Sequence, residues 1–154
     1  MKKFLLIGLF FSFAFAFAAE ANAQSVSLSG SIQKFVRGGT TKGTVTMSIP
    51  GNLHVNSNRP GSEYAIPTTL RVTGAGVKFG AVTYPRGRNR KFEFSDNSLN
   101  VYEGRVTFTF NVIVPQNYKG NTIRVRVTVR YQACTNEVCY PPTSKTINLT
   151  AQVK

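Results

Sequence analysis

The sequence contains one histidine, two cysteines and six acidic residues in a chain of 154. The single histidine, His54, gives little support to a histidine-based metal site or a Cys–His catalytic pair, so we expect a strand or surface role for it. The two cysteines, Cys134 and Cys139, allow one intramolecular disulfide. With so few acids, 19 lysines and arginines leave a net charge of +13. Such a chain is attracted to acidic surfaces, but it carries no nucleic-acid motif, and nucleic acid is not an expected partner.

Helical periodicity is also missing, and alternation of apolar and polar residues takes its place. The clearest case is 123–131, where four valines and isoleucines and a tyrosine alternate with arginines and a threonine. The same period of two recurs at 45–49, 106–114 and 147–153, with shorter candidates at 26–32, 69–73, 77–84 and 91–94. About eight strands separated by turn signals predict an all-β, immunoglobulin-like antiparallel β-sandwich, with a small barrel as the alternative. No repeat or second domain is evident.

The first 23 residues have the pattern of an export signal. It consists of a positively charged start at Lys2 and Lys3, an apolar run at 4–19 and a small-x-small cleavage motif at 21–23. The run is short for a membrane anchor, so we expect cleavage before Gln24 and no membrane insertion afterwards. The predicted mature chain, 24–154, is one domain in an oxidising compartment, the bacterial periplasm, where two thiols can pair.

The position of the cysteines predicts a disulfide in a hairpin. Cys134 follows the strand at 123–131, and Cys139 precedes the strand at 147–153, so the pair is expected at or near the hairpin tip. A disulfide that closes a loop of six residues stabilises by roughly 2 kcal/mol, against about 4.7 kcal/mol for a hundred. From placement alone, a structural crosslink and a redox site are about equally expected.

Two segments frame the pair: Tyr131-Gln132-Ala133-Cys134 on one side and Cys139-Tyr140-Pro141-Pro142 on the other. They resemble the active-site hairpin of the N-terminal periplasmic domain of DsbD, the thiol:disulfide interchange protein. Weaker similarities to the same family fall in order at 54–58, 66–68, 82–85 and 102–105. The resemblance covers most of residues 50–150 and implies an immunoglobulin-like fold. The cysteine spacing is one residue shorter than in the best-known member, and tyrosines of the family's active-site floor are missing at 54–55.

The resemblance implies thiol–disulfide exchange through Cys134 and Cys139. Cys139 is then the residue that bonds the partner, and Cys134, expected to be the more buried, resolves the mixed disulfide. The surrounding residues implied by the family are Tyr131, Tyr140 and Pro141, with Phe92 or Phe94 as the aromatic cap that shields the disulfide. A core strand is an equally good interpretation for one of the two phenylalanines. No cofactor or metal is expected.

The expected partners are periplasmic thioredoxin-like or disulfide-isomerase proteins. Because we expect a single domain, its electrons come from a separate protein, such as a DsbD-type membrane electron carrier acting in trans. The resemblance thus implies a thiol:disulfide interchange component without its own electron-donating domain, with a link to cytochrome c biogenesis. The alternative is a non-catalytic immunoglobulin-like binding or structural module whose hairpin disulfide is inert.

Overall fold

A computed structural model describes residues 26–154, so the predicted signal and cleavage site lie outside the described residues. Over this range the chain forms eleven β-strands and no helix. The strands are β1 (Ser27–Ile32), β2 (Thr40–Ser48), β3 (His54–Asn56), β4 (Thr69–Thr73), β5 (Lys78–Phe79), β6 (Arg88–Arg90), β7 (Leu99–Tyr102), β8 (Arg105–Ile113), β9 (Thr122–Tyr131), β10 (Ala133–Cys134) and β11 (Thr143–Gln152). Within 26–154, therefore, nothing helical is long and apolar enough to cross a membrane.

The strands form three antiparallel sheets. One sheet has the order β1-β2-β8-β5, a second has the order β11-β9-β4, and a third has the order β10-β3-β7-β6. Apolar side chains of the first two sheets meet in one core, which includes Met47 of β2, Phe108 of β8 and Val127 of β9. This arrangement confirms the predicted all-β immunoglobulin-like sandwich. The third sheet is the one that carries Cys134.

The alternation in the sequence explains the longest strands. On β9 the residues from Ile123 to Tyr131 alternate between buried apolar and mostly exposed polar side chains, as predicted. Each fully buried valine contributes about 1.5–3 kcal/mol at most, since an unfolded chain already buries part of its surface. Close packing also requires a glycine on β2, because a Cβ on Gly43 would lie 2.3 Å from the ring of Phe110 on β8.

Two of the short strand predictions need correction. The segment 91–94 is not a strand: β6 ends at Arg90, and the chain then turns. Within 77–84 the strand is limited to β5, with one further bridge between Thr83 and Thr109. Four short strands, β3, β6, β7 and β10, had no period-two signal of their own. All three residues of β3 and both of β10 are buried, so apolar and polar positions do not alternate there.

Candidate active site

The cysteine hairpin forms where the chain passes from one sheet to another. Up to Tyr131, β9 pairs with β11, and its last partner is Thr143. After Gln132 the chain joins the third sheet, where Cys134 on β10 faces His54 on β3. Cys139 then returns and forms an isolated antiparallel bridge with Cys134. The cysteines therefore belong to the third sheet, although the strands that lead to them belong to the second.

The two cysteines form a disulfide across this bridge. Their sulfur atoms are 2.07 Å apart and their Cα atoms 4.0 Å apart. Backbone hydrogen bonds lie on both sides of the pair, from Thr135 N to Val138 O at 2.8 Å and from Tyr140 N to Ala133 O at 2.9 Å. The cysteines thus occupy a non-hydrogen-bonded position of the ladder, where facing side chains are closest.

The two cysteines differ in exposure. Cys134 is fully buried, whereas Cys139 is exposed. This agrees with the expected difference in burial, and it means that a large partner meets Cys139 first. Tyr140 and Pro141, which follow Cys139, are exposed as well. Tyr131 is different, because it lies in the core with its hydroxyl buried, and burial raises its pKa.

The side chain of Gln132 connects the hairpin to its surroundings. Its Oε1 accepts hydrogen bonds from Asn56 Nδ2 at 3.0 Å and from the backbone N–H of Ile66 at 3.2 Å. Its Nε2 donates to the carbonyl oxygen of Tyr140 at 3.2 Å. The side-chain amide of Gln132 thereby holds the backbone of Tyr140, the residue after Cys139, in a fixed position relative to β3. Gln132 belongs to the sequence motif, but no role was predicted for it, because Asn56 and Ile66 are remote in the chain.

The segment 91–94 places two aromatic rings beside the hairpin. The ring of Phe92 stacks on His54 with centroids 4.0 Å apart, and Phe94 stacks on Phe92 at 5.3 Å. Phe92 is 8% exposed and packs with Leu99 and Val101, whereas Phe94 is 38% exposed. Of the two cap candidates, Phe94 is the one that lines a surface groove together with Cys139.

That groove lies against the exposed Cys139. Besides Cys139 and Phe94 it is lined by the exposed Tyr64, by Gln132 and by acidic residues that include Asp96. The exposed apolar side chains of Val138 and Tyr140 belong to the same hairpin as Cys139. An exposed cysteine residue among aromatic and apolar side chains is a suitable docking position for another protein.

His54 occupies a strand, as expected, but it is buried rather than on the surface. It is 3% exposed, and its Nε2 has no hydrogen-bond partner within 26–154. Burial lowers its pKa, an effect that Glu103 opposes and Arg90 reinforces. Arg90 Nη2 and Glu103 Oε2 form an ion pair at 2.9 Å, and this hydrogen bond lowers the pKa of Glu103. The sequence did not indicate that this histidine faces Cys134.

No metal site accompanies these residues in the described part of the chain, since no three His, Cys, Asp or Glu side chains there come together as possible ligands.

Comparisons with known proteins indicate the same family as the hairpin motif does. The chain is 27% identical over 89 residues to the thiol:disulfide interchange protein DsbD of Pseudoalteromonas atlantica, a match that covers 57% of this chain and 14% of that protein. Its fold is similar to the N-terminal periplasmic domain of ScsB from Proteus mirabilis, with a TM-score of 0.59 and 15% identity over 80% of this chain and 45% of the ScsB chain. The chain thus spans less than half of either relative. Residues 14–151 match the family described as thiol:disulfide interchange protein DsbD, N-terminal, and the chain belongs to that family.

Proposed function

We propose that this chain is a periplasmic thiol–disulfide exchange domain that passes reducing equivalents through Cys134 and Cys139. The observation that carries the proposal is the difference in exposure across one disulfide, with Cys134 buried and Cys139 open to a groove. A crosslink that only stabilised the fold would have no need for one sulfur-bearing residue at a docking surface. Family membership supports the same chemistry.

The exchange begins at Cys139. A thiolate of the reducing partner attacks Cys139 Sγ, the bond between the two sulfurs breaks, and its electron pair leaves on Cys134. A second partner thiol then attacks the mixed disulfide, so the partner is oxidised and the domain holds two thiols. When the reduced domain meets an oxidised partner, Cys139 attacks that disulfide, and Cys134 resolves the new mixed disulfide by attacking Cys139.

The proposed partners are thioredoxin-like or disulfide-isomerase proteins, with a DsbD-type membrane carrier as electron donor in trans. Both need their reactive sulfur within bonding distance of Cys139, and the exposed Val138, Tyr140 and Tyr64 provide apolar contact around it. Phe94 is the proposed cap, because it lines the groove with Cys139. Export by a cleaved signal would place the domain in the compartment where such partners act.

Single-cysteine variants test this proposal. Cys134→Ala leaves the exposed Cys139 thiol without its resolving partner, so it is expected to accumulate a mixed disulfide with an oxidised thioredoxin-like protein. Cys139→Ala, the matched control, is expected to trap little, because Cys134 is buried. Non-reducing gels followed by mass spectrometry of the crosslinked peptide give the result. Equal trapping by both variants contradicts the assigned roles.

The reduction potential separates this proposal from an inert binding or structural module. An exchanging pair is expected in the range of catalytic periplasmic couples, whereas structural disulfides lie below about −300 mV. A potential well below that limit, together with no trapping by either variant across several thioredoxin-like proteins, favours the inert module.

A further inference from the structure

Opening the disulfide creates a chemical problem at Cys134. The electron pair of the broken bond goes to a sulfur in a fully buried residue, and an isolated buried charge costs several kcal/mol or is neutralised by a proton. In the reverse direction the buried thiol must lose its proton before it can attack, although apolar burial raises a thiol pKa above its usual value of about 8.5. In both directions a proton has to move at Cys134.

The residue that pairs with Cys134 and can transfer this proton is His54. The register of β3 and β10 pairs His54 directly with Cys134, so the two side chains lie on the same side of the strand pair. In such pairs the Cβ atoms are about 4.5–5.5 Å apart. Imidazole is also the side chain whose ordinary pKa, about 6.5, suits proton transfer near neutral pH.

The Nε2 atom of His54 is available for this purpose. It is buried, and within 26–154 it has no hydrogen-bond partner. Leaving a buried polar atom unpaired costs about 1–3 kcal/mol, so an unpaired atom on the residue that pairs with Cys134 calls for an explanation. A nitrogen already paired with another group would have to break that bond before it could accept a proton.

The charges around His54 allow its ring to alternate between two states. Burial favours the neutral imidazole, whereas Glu103, beyond the end of β7, favours the charged imidazolium. Arg90 on β6 opposes Glu103 and is itself ion-paired with it. Lys91 and Glu93 line a shallow surface depression with this ion pair. The net effect is a lowered pKa, which favours the neutral imidazole at rest, while the charge of Glu103 favours the protonated form.

We propose that His54 is the proton carrier for the buried cysteine of the exchanging pair. This inference rests on the proposed function and adds a residue to it. In the resolving step His54 Nε2 takes the proton of the Cys134 thiol, and the thiolate attacks Cys139 Sγ. The sulfur–sulfur bond within the pair forms, the partner leaves as a thiolate, and the imidazolium loses its proton to that thiolate or to water.

The opposite step uses the same groups. A partner thiolate attacks Cys139 Sγ, and the electron pair of the disulfide moves to Cys134. His54, neutral at rest, first takes up the proton that the partner thiol loses when it becomes the attacking thiolate, and the imidazolium then gives that proton to Cys134. The stacked ring of Phe92, 4.0 Å from His54, keeps the imidazole in a fixed orientation during both steps.

A small disulfide reagent isolates the Cys134 step. Reduced protein mixed with 5,5′-dithiobis(2-nitrobenzoate) releases one coloured thiolate when Cys139 attacks and a second when Cys134 displaces the reagent from Cys139. The second phase is measured by stopped flow from about pH 5 to 8, the range in which histidine titrates. His54→Phe keeps an aromatic ring for the stack but has no titratable nitrogen. Phe92→Leu is the matched control, which changes the stack and keeps the imidazole.

For His54→Phe we expect the second phase to be about 100-fold slower near neutral pH, the lower end of general acid–base contributions. Its histidine-dependent inflection should also disappear, while the first phase stays within about threefold of the wild-type rate because Cys139 is exposed. Phe92→Leu should keep the inflection. A second phase in His54→Phe that matches the wild-type rate at every pH overturns the proposal.

A second measurement tests the role of His54 in the wild-type protein. His54 is the only histidine of the chain, so its imidazole signals in a nuclear magnetic resonance titration are unambiguous in untagged protein. If the imidazole lies against the Cys134 sulfur, its pKa is expected to differ between the oxidised and the dithiothreitol-reduced protein, because that sulfur exchanges a bonded sulfur for a proton. Identical titration in both states overturns the proposal. Neither reagent is a protein, so failure here is distinct from failure to exchange with thioredoxin-like partners.

Discussion

Unpaired polar atoms gather at the residues around the disulfide. Within the described chain, the buried side-chain atoms without a hydrogen-bond partner are His54 Nε2, Asn56 Oδ1 and Tyr131 Oη. Two of them lie on β3, which pairs with the strand of Cys134, and the third lies three residues before Cys134. Each such atom costs about 1–3 kcal/mol. Local cost of this kind is expected at sites selected for chemistry rather than for stability.

His54 should make the fold sensitive to mild acid. Because burial lowers its pKa in the folded state, the unfolded chain takes up its proton first, near pH 6.5. The free energy of unfolding is therefore expected to be independent of this group above about pH 7 and to decrease as the pH falls below about 6.5. Urea denaturation at about pH 7.5 and 5.5 measures the difference, and His54→Phe should remove it.

Glu103 acts in a lower pH range and serves as the control. The hydrogen bond from Arg90 lowers its pKa from the ordinary 4.5, so its stabilising contribution is present above that value. The contribution is lost as the pH falls through the lowered pKa. Glu103→Gln should therefore leave most of the difference between pH 7.5 and 5.5 in place. The prediction for His54 is wrong if His54→Phe loses as much stability over this interval as the wild-type protein.

Among the elements, strands with a period-two pattern were predictable, including the short β4 at 69–73, whereas short strands without such a pattern were not. The buried face of β9 was visible in the sequence because every second residue from Ile123 onward is apolar. The two residues of β10 are both buried, and their pairing with β3 instead of a β9 or β11 neighbour depends on the change of sheet at Gln132. That change carries no periodic signal, so the sequence located the cysteines in a hairpin but not in their sheet.

The segment 91–94 shows a different reason for failure. Phe92 and Phe94 have the spacing of a strand with one apolar face, and the period-two pattern predicted one. Their rings instead stack in sequence on His54 from a turn that follows β6. Two stacked rings at positions i and i+2 produce the same alternation of apolar and polar residues as a strand, although no sheet pairing occurs. The family resemblance still indicated these two residues for the site, and Phe94 lines the groove that contains Cys139.

Shortening Phe94 tests whether this segment covers the disulfide. Phe94→Ala is expected to increase the rate at which dithiothreitol reduces the pair several-fold, because the ring lines the groove that leads to Cys139. Stability should change little, since Phe94 is partly exposed. The rate is measured by alkylating samples over time and counting free thiols by mass spectrometry. Val36→Ala, an exposed apolar residue outside the groove lining, is the control. Equal rates for Phe94→Ala and wild type would contradict a shielding role.

For the whole molecule, the sandwich core and the disulfide are largely separate sources of stability. The core joins apolar residues of the first two sheets, including Phe108 and Phe110 of β8 and Val125 of β9. The disulfide connects positions only five apart in sequence. A crosslink between distant strands would restrict the unfolded chain far more. The fold therefore has no strong need of the bond that the proposed function opens and closes.

Removing both cysteines should accordingly leave the domain folded. Cys134→Ala with Cys139→Ala is expected to lower the free energy of unfolding by roughly 2 kcal/mol, the chain-entropy value for so short a loop. A native-like β circular dichroism spectrum and a cooperative urea transition would show that the sandwich persists. Phe108→Ala, with the disulfide intact, is the comparison, because this fully buried ring should cost about 3–5 kcal/mol. If the cysteine-free protein loses its cooperative transition while Phe108→Ala keeps it, the disulfide is a structural crosslink. Repeated opening of the pair would then unfold the domain that is proposed to exchange electrons.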